Sequence, residues 1–139
     1  MGRTHKALVV DDVESNALLL EIMLNNLGIT DVSTAYDGSR ALDMFGEALT
    51  GKAPYSLILL DFVMPLMEGQ DVVMHMRAKE EQMGIGAYNN KAIIIMVTSL
   101  DSSADIMYTM SHCDCDDYIV KPVTPDMLRS VLTSHGVIS

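Results

Sequence analysis

Leu57-Ile58-Leu59-Leu60-Asp61 decides the fold: four apolar residues without alternation, cut off by a carboxylate. A strand with one wet face alternates apolar and polar positions. A strand covered on both faces does not, and the covered kind belongs to parallel sheets flanked by helices. The signature returns on either side. Ala7-Leu8-Val9-Val10 stops at Asp11-Asp12, Ala92-Ile93-Ile94-Ile95-Met96-Val97 at Thr98-Ser99, and Tyr118-Ile119-Val120 at Lys121-Pro122. Val32-Ser33-Thr34-Ala35-Tyr36 alternates as a strand does and closes at Asp37-Gly38, read as a turn pair.

Segments of helical period fill the intervals. Ser15 to Leu27 is followed by Gly28, a plausible C-terminal stop. Ala41, Leu42, Phe45, Ala48 and Leu49 fall on one face of an amphipathic helix. A third helix is expected near Asp71 to Met83, and a fourth, carrying Ile106, Met107 and Met110, is capped by Ser102-Ser103. Thr124-Pro125 reads as N-cap and N1 of the last, with Leu128, Val131 and Leu132 on one side. Five strand–helix units with short connections predict an α/β domain: a parallel sheet, helices on both faces, right-handed crossovers. No repeat or linker interrupts the pattern, so 139 residues are expected to form one domain with its core over about 5–135.

Composition narrows the function. Nearly half the residues (49%) are apolar, against a disordered chain, yet no apolar run approaches the ~18 residues of a membrane helix. The start, Met1-Gly2-Arg3-Thr4-His5-Lys6, lacks a signal-peptide core, and Lys6 stands where a myristoylation signal wants Ser or Thr. A soluble, cytoplasmic protein without membrane insertion is expected. Lys and Arg number 9 against 19 Asp and Glu, a formal charge of −10, whose field disfavours direct nucleic-acid binding and favours a metal cation or a basic partner. The 12 methionines are read as core filler. His5, His75 and His135 are read as surface positions. Cys113 and Cys115 are expected to be reduced; a bond between them is discounted on the ground that neighbouring strand positions face opposite ways.

In an open parallel sheet, ligands bind at the carboxyl ends of the strands, where strand order reverses. Sequence position alone delivers to that edge Asp11, Asp12, Asp61, Thr98, Ser99 and Lys121. Three clustered carboxylates repel one another, each pair at ~4 Å by about 4 kcal/mol at an effective dielectric near 20. Lys121 supplies only one positive charge, so a hard divalent cation is expected. Mg²⁺ suits an all-oxygen site, and the absence of histidine at these strand ends argues against zinc. The set also suits phosphoryl chemistry, in which negative charge spreads over oxygens that Lys121 and the Thr98 hydroxyl could meet, with Asp61 as the nucleophile. Neither GxGxxG nor GxxxxGK[ST] is present, so a nucleotide fold is not indicated. His112-Cys113-Asp114-Cys115-Asp116 matches no common zinc spacing.

Val9-Val10-Asp11-Asp12, Asp61-Phe62-Val63-Met64-Pro65-Leu66-Met67-Glu68-Gly69, Val97-Thr98-Ser99 and Asp116-Asp117-Tyr118-Ile119-Val120-Lys121-Pro122 together resemble the CheY-like receiver domain of two-component response regulators, in family order and over nearly the whole chain. The resemblance implies a flavodoxin-like (βα)5 doubly wound parallel sheet of strand order 2-1-3-4-5. It implies that Asp61 accepts a phosphoryl group from the phosphohistidine of a sensor histidine kinase or histidine phosphotransfer protein. Asp11, Asp12, Asp61 and the backbone carbonyl of Val63 would bind Mg²⁺. Lys121 would contact the phosphate and Thr98 hydrogen-bond it, Tyr118 would be the switch aromatic, and the Lys121-Pro122 peptide would be cis. Such a protein is a phosphoacceptor that promotes its own phosphorylation and dephosphorylation rather than a turnover enzyme. A stand-alone module would signal through its fourth helix, fifth strand and fifth helix to an unknown output partner, or pass the group along a phosphorelay.

The chain departs from the common pattern in places. Thr98 lies thirty-seven positions after Asp61, and the surplus falls in Gly84 to Lys91, read as a solvated loop extension. Asp114 occupies a place where receivers often have Gly, and Asp tolerates the left-handed region better than most residues. The alternative is an Mg²⁺-dependent aspartate-nucleophile phosphatase on a related α/β fold. Those enzymes commonly carry a second acid two residues after the nucleophile, where this chain has Val63.

Overall fold

The computed structural model describes residues 5–62, 69–85, 91–99 and 103–139, the last with backbone alone at 103–105. Five strands and five helices alternate: β1 (Lys6–Val10), α1 (Glu14–Asn26), β2 (Asp31–Ala35), α2 (Gly38–Thr50), β3 (Leu57–Asp61), α3 (Gly69–Gln82), β4 (Ile93–Thr98), α4 (Ser103–His112), β5 (Asp117–Val120) and α5 (Pro125–Ser134). The strands form one sheet in the order β2-β1-β3-β4-β5, every pair parallel.

Alternation along the central strands divides the core into two. Leu8, Val10, Ile58, Leu60, Ile94 and Met96 face α2 and α3, meeting Phe45, Leu49, Val72, Val73 and Met76. Ala7, Val9, Leu57, Leu59, Ile95 and Val97 face α1 and α5, meeting Leu20, Met23, Leu24, Leu128 and Leu132. The runs lack polar positions because both faces of β1, β3 and β4 are covered. The core-filler reading holds for Met23, Met76 and Met96, which are buried, but Met74, Met83 and Met107 stand exposed.

The helix ends obey the local chemistry with some shifts. The Thr124 hydroxyl accepts from Met127 N at 3.2 Å, with Pro125 in the first turn, as expected. Gly28, at φ +92°, takes the left-handed turn after α1 and lets Ile29 N reach back to Leu24 O at 3.0 Å. Asp37-Gly38 is not a free turn. The Asp37 carboxylate accepts from Arg40 N at 2.7 Å, so it caps α2 and Gly38 is already helical. Of the expected α4 cap, Ser102 lies outside the described residues. So do positions 86–90 of the loop extension; Gly84 and Lys91 at its edges are exposed.

Two histidines are not surface residues. His5 is buried with Nδ1 2.8 Å from Ser56 Oγ, and His135 is half-buried with Nε2 2.9 Å from Asp117 Oδ2. Asp114 does not adopt the left-handed region, the only described non-glycine residue there being Lys52.

Gly69 starts α3 so close to β3 that a side chain has no room. Its N–H donates to Phe62 O at 2.7 Å, and a Cβ would lie 2.8 Å from Phe62 Cα and 2.9 Å from that oxygen. Gly69→Ala is therefore expected to lower unfolding stability by ~1–3 kcal/mol, the usual range for overpacking. Urea denaturation measures this; a variant as stable as the parent would show that the close approach of Gly69 to Phe62 carries no penalty.

Candidate functional site

The parallel register brings the strand ends level. Val10 is opposite Leu60, Asp61 opposite Val97, and Thr98 opposite Val120, so the residues just past them share one edge. Asp11 N donates to Ala35 O at 3.1 Å, Phe62 N to Val97 O at 3.0 Å, and Lys121 N to Thr98 O at 2.7 Å. These bonds prolong the ladders past the strands and fix the backbone under the site.

Asp11, Asp12 and Asp61 converge there, with one carboxylate oxygen from each lying within 4.8 Å of the others. Asp11 is almost wholly buried, at 1% exposure. Its Oδ1 accepts from Val13 N at 2.9 Å, which turns Oδ2 toward its neighbours. That Oδ2 is buried and has no hydrogen-bond partner. The nearest cation among the described residues is Lys121, whose Nζ stands 3.8 Å from Asp11 Oδ2 and 3.5 Å from Asp61 Oδ1. Both lengths exceed a good charge-assisted hydrogen bond, which is nearer ~2.7–2.9 Å.

One ammonium facing three carboxylates leaves an excess of negative charge, and an orphaned buried carboxylate oxygen costs free energy unless something ligates it. Oxygen donors alone, close together and partly wet through the exposed Asp12, are the donor set of a hard divalent cation. The residues present fit that group. The Val63 carbonyl, expected as a further ligand, lies outside the described residues.

Thr98 and Tyr118 meet on the other side of the sheet edge. Thr98 is buried at the end of β4, and Tyr118 is half-buried opposite Met96. With Phe62, Met96, Ile106, Thr109 and Met110 they line an apolar void of about 10 Å³. That is room for about one water and far too little for a phenol ring. Inward rotation of Tyr118 thus requires a neighbouring side chain to shift. The Lys121-Pro122 peptide is cis, as the resemblance implied.

Two features escaped the sequence reading. Helix α1 is apolar on both sides: Ala17, Leu20, Met23 and Leu24 are buried, while Leu18, Leu19 and Ile22, together with Val13 just before the helix, are 44–56% exposed. Leu19 and Leu20 also line a cavity of about 340 Å³ shared with Asp11, Lys121 and Pro122, so this surface runs into the carboxylate pocket. The run Leu18-Leu19-Leu20, longer than one helix face requires, was the available signal. The second feature is Arg77 on α3. It donates to Asp114 O at 2.9 Å, Glu80 Oε1 at 2.8 Å, Ala92 O at 2.8 Å and Asp116 Oδ2 at 2.9 Å.

Comparison with known proteins agrees with this geometry. The family model described as Response regulator receiver domain matches residues 7–133. The chain is 33% identical over 127 residues to the chemotaxis protein CheY homolog of Campylobacter jejuni, covering 91% of this chain and 88% of that one. It is 30% identical over 130 residues to hybrid signal transduction histidine kinase I of Dictyostelium discoideum, 94% of this chain but 7% of that protein. It likewise spans less than half the length of two transcriptional regulators that it matches. Among solved structures it resembles the Saccharomyces cerevisiae receiver domain of Ssk1, co-crystallised with the histidine phosphotransfer protein Ypd1. The TM-score is 0.79 at 26% identity, over 99% of this chain and 92% of that one. No helix among the described residues is long and apolar enough to cross a membrane.

Proposed function

The chain belongs to the response regulator receiver domain family of two-component signalling, and from that premise we propose that it is a Mg²⁺-dependent phosphoacceptor switch with Asp61 as the phosphorylated residue. The observation that carries this reading is the convergence of Asp61 with Asp12 and with the buried Oδ2 of Asp11, which accepts no hydrogen bond and has Lys121 Nζ only at 3.8 Å.

Asp11, Asp12 and Asp61 would hold the cation, which when bound offsets the charge of the transferring phosphoryl oxygens. An Asp61 carboxylate oxygen attacks the phosphorus of a phosphohistidine; the new O–P bond forms as the P–N bond breaks and the imidazole leaves. Lys121 Nζ lies close enough to Asp61 to track the charge onto the transferred group. The acyl phosphate adds about one negative charge and strong acceptor oxygens. Thr98 moves toward them, and the enlarged void admits the Tyr118 ring, which biases the α4–β5–α5 face toward its signalling form. Val63 presents no polar side chain to an attacking water, so dephosphorylation proceeds without help from that position.

A decisive experiment incubates the protein with acetyl phosphate and Mg²⁺. One hydroxylamine-labile phosphoryl group per chain is expected, and EDTA should abolish it; stoichiometric labelling in EDTA overturns the cation's role. The absence of an acidic residue at Val63 separates this reading from an aspartate-nucleophile phosphatase.

The exposed side of α1 is the surface on which we place the phosphohistidine donor, a sensor kinase or phosphotransfer protein, because it opens into the Asp61 edge. Its counterpart would be apolar at the centre, which charge repulsion at −10 does not oppose. Leu18→Glu, on the same exposed side but outside the cavity shared with Asp11 and Lys121, is expected to slow transfer from a phosphorylated protein donor by about tenfold or more, ~1.4 kcal/mol. Labelling by acetyl phosphate should be unchanged; equal slowing of both would sink the docking assignment. The output partner binds non-covalently in this reading, which is supported by the near full-length match to the Campylobacter jejuni CheY homolog.

A further inference from the structure

Cys113 and Cys115 take no part in the phosphoryl pocket, and the ground for discounting a bond between them fails. Positions two apart in a strand share a face, and both cysteines precede β5 in any case. Cys113 is buried in the core beneath α3, Cys115 is half-buried against the same cluster, and Asp114 between them is exposed. The two side chains therefore lie on one side of the chain. Both are free thiols. Positions two apart are at most ~7 Å apart at Cα, and disulfides span ~4.4–6.8 Å.

The thiols are unequal. A hydrogen bond from Cys115 favours the Cys113 thiolate, with help from Arg77 and against burial and the Asp114 charge, and holds the Cys113 pKa below its ordinary value. Cys115 is pushed strongly upward, first by that same hydrogen bond and then by burial. Its Sγ also lies 3.6 Å from Met110 Sδ, the acceptor its single proton turns to when Cys113 does not take it. Two thiols two positions apart against one cluster, with the Cys113 thiolate the one that its neighbour's hydrogen bond favours, place Cys113 as the attacking and Cys115 as the resolving sulfur. A groove of about 370 Å³ between α3 and the end of α4, lined by Gln70, Met74, Arg77, His112 and Asp114 among others, reaches Cys113, which is itself 6% exposed. Backbone bonds pin the segment from below, since Cys113 N donates to Thr109 O at 2.8 Å and Asp116 N to Ile94 O at 2.7 Å.

We propose that Cys113 and Cys115 are a redox-active dithiol that a hydroperoxide converts into an intramolecular disulfide at the α4–β5 junction. The Cys113 thiolate attacks the terminal peroxide oxygen; the S–O bond forms, the O–O bond breaks, and the departing alkoxide or hydroxide takes up a proton. Cys113 is then a sulfenic acid. The Cys115 sulfur attacks it, the S–S bond forms, the S–O bond breaks, and the hydroxide leaves as water with the Cys115 proton. Two thiols and one hydroperoxide yield one disulfide, one alcohol or water, and one water. A dithiol reductant reverses the product. The junction lies three residues before Tyr118.

The test uses the full chain, reduced, with equimolar hydrogen peroxide. Titratable thiols under denaturing conditions should fall from two to none, and the tryptic peptide map should show Cys113 bonded to Cys115 within one chain. Cys115→Ser should stop at a sulfenic acid trapped by dimedone on Cys113, and Cys113→Ser should react with peroxide at least tenfold more slowly. Retention of both thiols, oxidation confined to Met110, disulfides between chains, or dimedone adduct on Cys115 in the parent would each overturn the proposal. The parent's thiol count and peptide map decide the matter even if a serine variant fails to fold.

Discussion

Asp61→Ala is expected to abolish acetyl phosphate labelling, leaving less than about a thousandth of the parent's rate, a barrier increase above ~4 kcal/mol. The other two carboxylates cannot substitute. Asp11 is buried with one oxygen held by Val13 N, and its second oxygen is enclosed. Asp12 is exposed and has no ion pair with Lys121 among those the described residues form. Asp61 alone ends the central strand with Lys121 Nζ at 3.5 Å, and it is 7% exposed against 1% for Asp11. Asp61→Asn keeps the size and removes the nucleophilic charge, so it should be equally silent. A urea midpoint within the parent's range shows that the loss is chemical and not unfolding. Undiminished one-to-one labelling of either variant would move the phosphoacceptor to another residue and with it the whole site.

The parts of this site that were legible in the sequence are those that a strand end fixes by itself. Leu57 to Leu60 reads as a doubly covered strand because it has no polar position, and the residue that terminates such a strand must face the ligand edge. Asp11, Asp61, Thr98 and Lys121 all fall there, with strand bounds within a residue or so of those expected. The alternation that sends Thr98 to the side of Met96 and Tyr118 was also present in the sequence, and it explains why a hydroxyl and a ring on adjacent strands line one void.

The features that were not legible depend on contacts between distant segments. Asp37-Gly38 is as good a turn as a cap in isolation, and the Arg40 N–H that selects the cap exists only once α2 forms. His5 carries no mark of burial, yet Ser56, fifty-one positions later, supplies its partner. Cys113 and Cys115 are free thiols as expected, though the parity argument for it does not hold, and the contact of Cys115 with Met110 needs the turn after α4 to fold back. Arg77 and Glu80 look like an ordinary exposed helix pair at i, i+3, worth a few tenths of a kcal/mol.

In the folded chain that last pair is nothing of the kind. Its side chains are 10% and 3% exposed, at 2.8 Å. Glu80 Oε2 accepts from Ala92 N at 2.7 Å, and Asp116 Oδ2 from Ile94 N at 2.8 Å, so two carboxylates satisfy backbone donors where β4 begins. Arg77 compensates both charges and closes on the carbonyls of Ala92 and Asp114. Arg77→Ala leaves a buried, unpaired Glu80 and two carbonyls without their donor. We expect it to lower unfolding stability by ~3–5 kcal/mol, the range for breaking a buried ion pair by removing one partner. That is a large share of the ~5–15 kcal/mol typical of a domain. Arg77→Met combined with Glu80→Gln removes the stranded charge while the amide oxygen can still accept from Ala92 N, so it should recover more than roughly half of the loss. Urea unfolding of the parent, Arg77→Ala, Arg77→Met, Glu80→Gln and the double variant measures the coupling. If Arg77→Ala stays within ~0.5 kcal/mol of the parent, as an exposed substitution would, the guanidinium is not what holds α3 to the start of β4.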